Sequence, residues 1–432
     1  MNTGIVRGYD PNFWRNSQYR RLIYLEQFLL TLSWSLERTA LVVHTLNDTD
    51  NDAIGLVDFA IIRIIWEASL VLGGWLVGSF VVWCQFTPMA MLKNCARLAL
   101  VCTPLLFYSH VMQLAPRSIV AVYTLFYFVD GGIRNMRNVI LTQCSPQREM
   151  MRTIGINLAF RSMAIMCGSC VSMLLFRLLD DAILTIHLVA AVAYTLSVFT
   201  LQMLGDSECA PPVIPVTETK SIYNPVRPDT APVYLLLVFM LLPITYSVLS
   251  FYEIWAISEY DVSNATLDSS KLGMSLFSMI LSLLCATTTS LWPFRRWIIV
   301  GAQALAIVAI GCIAYIPLEQ YQFFVCITAL VVCVLVSRLI NSAMFFDYLP
   351  SDSQSLTKWA SVSMLATLLT RFSELGMGAL VNLHGYSSAL TVTMMLVGLI
   401  VIVCVWVAQV LHTDMSPKPI TIQEVTVTGA QI

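Results

Sequence analysis

The chain reads as an all-α polytopic membrane protein with twelve transmembrane helices in two pseudo-symmetric six-helix bundles, and three observations predict this. Roughly a dozen apolar runs, each about 20 residues long, recur along its 432 residues; about 20 apolar residues cross a hydrocarbon core about 30 Å thick as a helix. One polar, proline-rich stretch divides the runs six and six. Composition agrees, with 57% hydrophobic and 12% charged residues and a mean hydropathy of +0.75, too apolar for a string of soluble domains. Two six-helix halves around a mid-membrane site are the plan of many secondary transporters. The expected activity is movement of a solute.

Taken in order, the spans are read at 22–46, 54–83, 91–112, 118–144, 154–176 and 182–204, then 233–258, 272–291, 297–317, 322–346, 359–381 and 388–411. The domains follow: an N-terminal tail over 1–21, a first bundle over 22–205, a linker over 206–232, a second bundle over 233–411 and a C-terminal tail over 412–432. The linker is rich in Pro211, Pro212, Pro215, Pro225 and Pro228. No cleavable leader is evident: polar residues and Arg20-Arg21 run straight into the first span, which acts as its own membrane signal.

Basic residues set the orientation. Of 24, fourteen fall on the side of the N-terminus, three (Arg117, Arg177, Lys271) on the other, and seven within spans. The positive-inside rule then places both termini and the linker in the cytosol, and a multi-pass plasma-membrane location is expected. The sequons at Asn47 and Asn264 fall on equivalent outer loops of the two halves, which makes both candidate glycosylation sites.

The seven intramembrane arginines are Arg38, Arg63, Arg134, Arg137, Arg161, Arg338 and Arg371. A charge at mid-bilayer costs several kcal/mol or more, so each should face a partner, a cavity or the substrate. Arg134 and Arg338 are the best-matched pair. Each lies sixteen residues into an equivalent span of its half, ~24 Å from the outer face at ~1.5 Å per residue. Arg371 falls near mid-membrane, one turn from Glu374. Guanidinium forks grip carboxylates or phosphates through paired hydrogen bonds, so Arg134, Arg338 and Arg371 point to an organic anion; the alternative is internal ion pairs that hold helices together. Arg63 and Glu67, four apart on one face, are a candidate ion pair. Glu37 is a candidate counter-ion or coupling site, and Arg137 and Arg161 are expected to snorkel to the inner surface.

Other features read as structural. Four histidines near outer helix ends suit the membrane interface, as do Trp83, Trp292, Trp297, Tyr315 and Tyr321. Gly74 and Gly78 make a small-xxx-small face for close helix packing. Asp130-Gly131-Gly132 suggests a local break in span four. The twelve cysteines lie mostly within apolar runs, where Cys is a small hydrophobe; Cys167 and Cys170 are read as helix packing rather than a redox pair. A formal charge of −2 gives no electrostatic case for nucleic acid. No Walker, GxSxG, HExxH or GxGxxG pattern appears in the required context. The chain is therefore expected to be no enzyme, to need no cofactor or metal, and to meet only a small-molecule substrate and membrane lipids.

Several segments resemble the reduced folate carrier and thiamine transporter family, which is of the major-facilitator type. Phe86-Thr87-Pro88 is similar to that family's aromatic-x-Pro entry into span three, and Arg161-Ser162-Met163-Ala164 to its Arg-small-x-Ala run. Arg134 and Val336-Ser337-Arg338 stand where folate carriers have cavity arginines, and Arg371 lies within about one residue of their substrate-binding lysine. The Asn47 sequon sits where the family is glycosylated. Val82 and Gln85 replace its Asp and Arg in span two, and Glu37 alone is left of its first-span signature. The resemblance implies a vitamin carrier that takes up a folate-like dianion by alternating access, with Arg134, Arg338 and Arg371 on the carboxylates and Glu37 neutralising or coupling. A thiamine-type cation carrier and a non-transporting receptor or scaffold of the same fold are the alternatives.

Overall fold

A computed structural model describes residues 11–413 apart from 48–55, 112–115, 146–149, 180–181, 206–230, 261, 263, 289–293 and 350–352. Every described element is an α-helix. The first half comprises α1 (Pro11–Asn47), α2 (Leu56–Cys84), α3 (Pro88–Val111), α4 (Pro116–Gln143), α5 (Met150–Leu178) and α6 (Ala182–Gln202). The second comprises α7 (Ala231–Tyr260), α8 (Asn264–Thr287), α9 (Arg295–Tyr315), α10 (Gln320–Tyr348), α11 (Ser353–Ser363) and α12 (Leu365–Thr413). The end of the molecule where α6 stops and α7 starts is called the linker end below.

Eight stretches among the described residues are long and apolar enough to cross a membrane, and the last of them, Leu356–Leu411, holds two crossings. Helices α1, α3 and α4 are long enough but more polar. The reason is visible in α1 and α4: their charges turn into the protein, where Glu26, Asp130 and Arg137 are buried. A span that carries buried polar partners loses hydropathy without losing its place in the membrane.

Two boundaries differ from the sequence reading. The eleventh and twelfth spans run on without a loop, reversing at Gly385, whose φ of 77° suits a residue without a side chain. The eleventh is also broken near Met364. The hydroxyls of Ser361 and Ser363 donate back to the carbonyls of Thr357 and Ala360, and Met364 N–H is shared between two carbonyls, a pattern that bends helices. Span four, by contrast, is unbroken through Asp130-Gly131-Gly132. Its glycine serves packing: Gly73 on α2 abuts the Phe128 carbonyl and Gly131 abuts that of Leu70, so a Cβ at either would collide with backbone.

Within the first half α1 packs on α5 and α6, and α4 on α2 and α3; within the second, α7 packs on α10 and α12, and α9 on α10 and α12. The halves meet along two seams, α5 against α8 and α10, and α2 against α11 and α12. Both seams touch toward the linker end. Gly155, near the start of α5, lies against Ser282 and Ala286, near the end of α8. The Gly74/Gly78 face does pack closely, and it does so across the halves, against Met364, Ser361 and Thr357.

Candidate functional site

The intramembrane arginines separate into those with carboxylate partners and those without. Arg137 is buried, not at the surface: one guanidinium nitrogen donates to both oxygens of Glu26 on α1 at 3.1 Å. An arginine this deep cannot reach water, so a buried acid replaces the headgroup region as its partner. Arg134 makes a 2.7 Å ion pair with Asp130, one turn earlier on the same helix. Its guanidinium also lies 5.9 Å from the Trp34 ring centroid, in an aromatic wall where Trp34 meets Phe126 and Tyr127.

Arg371 is the most heavily engaged. It donates through Nε and Nη2 to Glu67 Oε1 at 3.2 and 3.0 Å, and through Nη1 to Glu374 at 2.6 Å. Glu67 is thus tied to α12 across the seam between the halves. The side chains of Arg63, Glu37, Asn47 and Asn264 lie outside the described residues, as do most of both tails and the linker.

Arg161 and Arg338 are different. Both residues are exposed although each sits in the middle of its helix. No carboxylate among the described residues forms an ion pair with either. Arg161 faces Arg338, Arg134 and Tyr246 at Coulombic range, so it points to the centre rather than to the membrane surface. Arg338 in turn feels Tyr246, Glu67, Arg371 and Arg134. Arg161 lies eleven residues from the linker-end start of α5, Arg338 ten from the linker-end stop of α10, and Arg134 nine from that of α4. At ~1.5 Å per residue all three stand ~14–17 Å from that end.

Arg338 lines a cavity with Tyr246, Pro243 and Leu242 on α7, Gln303 on α9 and Thr370 on α12. The wall is rigidly built. Thr245 donates to Gln303 Oε1 at 2.8 Å, and Gln303 Nε2 donates to Ser337 at 2.8 Å, directly beside Arg338. All three of these residues are fully buried, so the chain of hydrogen bonds fixes α7, α9 and α10 around the guanidinium. Two arginines from opposite halves, held at one depth with no carboxylate partner among the described residues, suit a ligand that carries negative charge.

The sequence reading found Arg338 but set Arg161 aside, because helix position alone does not tell a central from a peripheral side chain. The signal present was the family-like Arg-small-x-Ala run.

No family model matches the chain, and no curated protein matches it. Solved structures do resemble it. The human organic anion transporter MFSD10 aligns with a TM-score of 0.69 at 15% identity, over 92% of this chain and 100% of that one. A bacterial homologue of the iron transporter ferroportin, in an outward-facing state, aligns at 0.67 and 13% identity over 90% and 99%. The proton:xylose symporter XylE aligns at 0.70 and 11% over 90% and 95%. Identities this low establish architecture alone, and the chain has the major facilitator fold.

Proposed function

We propose that the chain is a secondary transporter of an organic anion, folate-like in bearing more than one carboxylate, and that Arg161 and Arg338 hold the anion between the halves. One observation carries this reading: two guanidiniums from opposite halves at one depth, with no carboxylate partner among the described residues. The resemblance to folate carriers and the fold shared with an organic anion transporter support it. Arg134, balanced by Asp130, and Arg371, balanced by two acids, flank the site, and Glu37 on α1 is the additional neutralising group. A thiamine-like cation fits less well, because two positive charges with no ion-pair partner among the described residues repel it. Alternating access follows from a ligand gripped by both halves, since each half must tilt about the site to expose it to either side. The positive-inside bias places the termini and the 206–232 linker in the cytosol, with Asn47 and Asn264 outside at the plasma membrane.

The test is uptake of labelled folate against labelled thiamine in cells expressing the chain. Folate uptake that is lost in Arg338→Ala and in Arg161→Ala at normal surface expression supports the reading. Arg338→Lys should fall between, keeping charge but losing the fork. Wild-type folate affinity in a well-expressed Arg338→Ala variant overturns it.

A further inference from the structure

The cavity beside Arg338 is walled by two helical stripes. On α7, Phe239, Leu242, Pro243 and Tyr246 stand at i, i+3, i+4 and i+7, one face of a helix. On α10, Val334 and Arg338 are one turn apart and border the same space. The chemistry of the two stripes is uneven. Phe239, Leu242, Pro243 and Val334 offer hydrocarbon side chains alone, and Pro243 has no backbone N–H to give. Gln303 is engaged at both ends of its amide, accepting from Thr245 and donating to Ser337, and Thr370 has an interaction of its own. The groups left to meet a ligand's charge are the Arg338 guanidinium and the Tyr246 phenol.

Tyr246 is placed where that phenol counts. It lies within Coulombic range of Arg161 on α5, Arg338 on α10 and Arg371 on α12. It lines the cavity, and its hydroxyl makes no hydrogen bond with another described residue. A carboxylate held by Arg161 and Arg338 therefore has a neutral O–H donor beside it. The rest of the wall does not suit a polyol, whose hydroxyls would lose water without gaining partners. It suits hydrocarbon, which gains by leaving water.

We infer that the ligand is an amphipathic carboxylate. Its anionic end lies on Arg161 and Arg338 with Tyr246 donating to it, and an apolar body joined to that end lies on the Phe239–Leu242–Pro243 stripe against Val334. This rests on the reading of Arg161 and Arg338 as an anion site and adds two things to it. Charge alone does not select the ligand, so a small polycarboxylate of equal charge is a poor one. The body is recognised by the second half, because the apolar wall comes from α7 and α10, while the first half contributes Arg161 to the charge.

N-benzoylglutamate and N-acetylglutamate are suitable probes, since they share two carboxylates and an amide and differ only in phenyl against methyl. Competition with labelled folate on the purified full chain measures both. The benzoyl compound should bind about 10-fold more tightly or better, the scale on which an apolar pocket separates ligands of different hydrocarbon size. Val334→Thr puts a hydroxyl into the wall at nearly unchanged shape and should narrow that ratio. Tyr246→Phe should weaken both probes alike, by about 10-fold, keeping the ratio between them and the thermal midpoint of the wild type. Equal competition by the two probes, competition by neither while folate binds, or wild-type affinity in Tyr246→Phe overturns the inference and leaves the anion site standing. If folate itself does not bind, the anion site fails and the inference falls with it.

Discussion

The two seams between the halves are made of different materials. Along α2, the contact with α11 and α12 is polar and locked. Glu67 bridges to Arg371, and Asn135 of α4 donates to the Gly74 carbonyl and to Ser361 Oγ, both at 2.7 Å. Along α5, Gly155 closes against Ser282 and Ala286, and the charges farther along, Arg161 and Arg338, form no ion pair with an acid among the described residues. An arginine bridged to buried acids holds a structure together, whereas an arginine left unbridged at the same depth is available to a ligand. The same residue type, placed in spans by the same membrane, thus serves two purposes, decided by what the neighbouring helix brings.

The comparison can be broken most directly at Arg371. Arg371→Ala takes from buried Glu67 the cation it pairs with, and removing one partner of a buried pair costs about 3–5 kcal/mol. We expect lost surface expression and a lower thermal midpoint for every substrate alike. If Arg371→Ala is as stable as wild type, the locked seam is not a lock.

Arg338→Ala should behave in the opposite way. Stability should be unchanged, because no acid among the described residues loses an ion pair, while anion affinity falls by the value of a charge-assisted contact, about 1.5–3 kcal/mol, or roughly 10- to 150-fold. A binding isotherm with purified protein measures it, and a thermal melt on the same sample reports the contrast with Arg371.

The packed part of the α5 seam is probed by Gly155→Val. Its Cβ would lie 2.8 Å from that of Ala286 and 2.9 Å from the Ser282 carbonyl. Overpacking of about 1–3 kcal/mol falls on the arrangement in which the linker ends touch, and so shifts the population toward one in which they part. A cysteine introduced as Thr357→Cys, a position buried at the opposite seam, should label faster with a thiol reagent in the valine background. An unchanged labelling rate would mean that Gly155 does not hold the linker end closed.

The smallest expected effect is at Asn135. Ser361→Ala removes one neutral hydrogen bond across the seam, worth about 0.5–1.5 kcal/mol. It should raise the same labelling rate by a few-fold without loss of expression; a larger effect would make this bond, rather than Glu67–Arg371, the principal tie.

Sequence alone determined that the chain crosses the membrane in two sets of helices, because hydrocarbon demands long apolar runs and the linker interrupts them with prolines and polar groups. It also determined which helices carry charge, and that Arg134 and Arg338 share a depth, since rise per residue converts position into distance. The pair Arg134–Asp130 was within reach for the same reason: residues four apart share a helix face. Which of the other arginines were already neutralised was decided only in three dimensions. Arg371 pairs with Glu374 one turn away, as its spacing suggests, but takes a second acid, Glu67, from 304 residues away, and Arg137 takes Glu26 from 111. Arg161 became central because α5 turns that face toward α10. Helical periodicity says which residues lie on one face, but close packing, such as the backbone contact at Gly73 and Gly131, decides what that face meets.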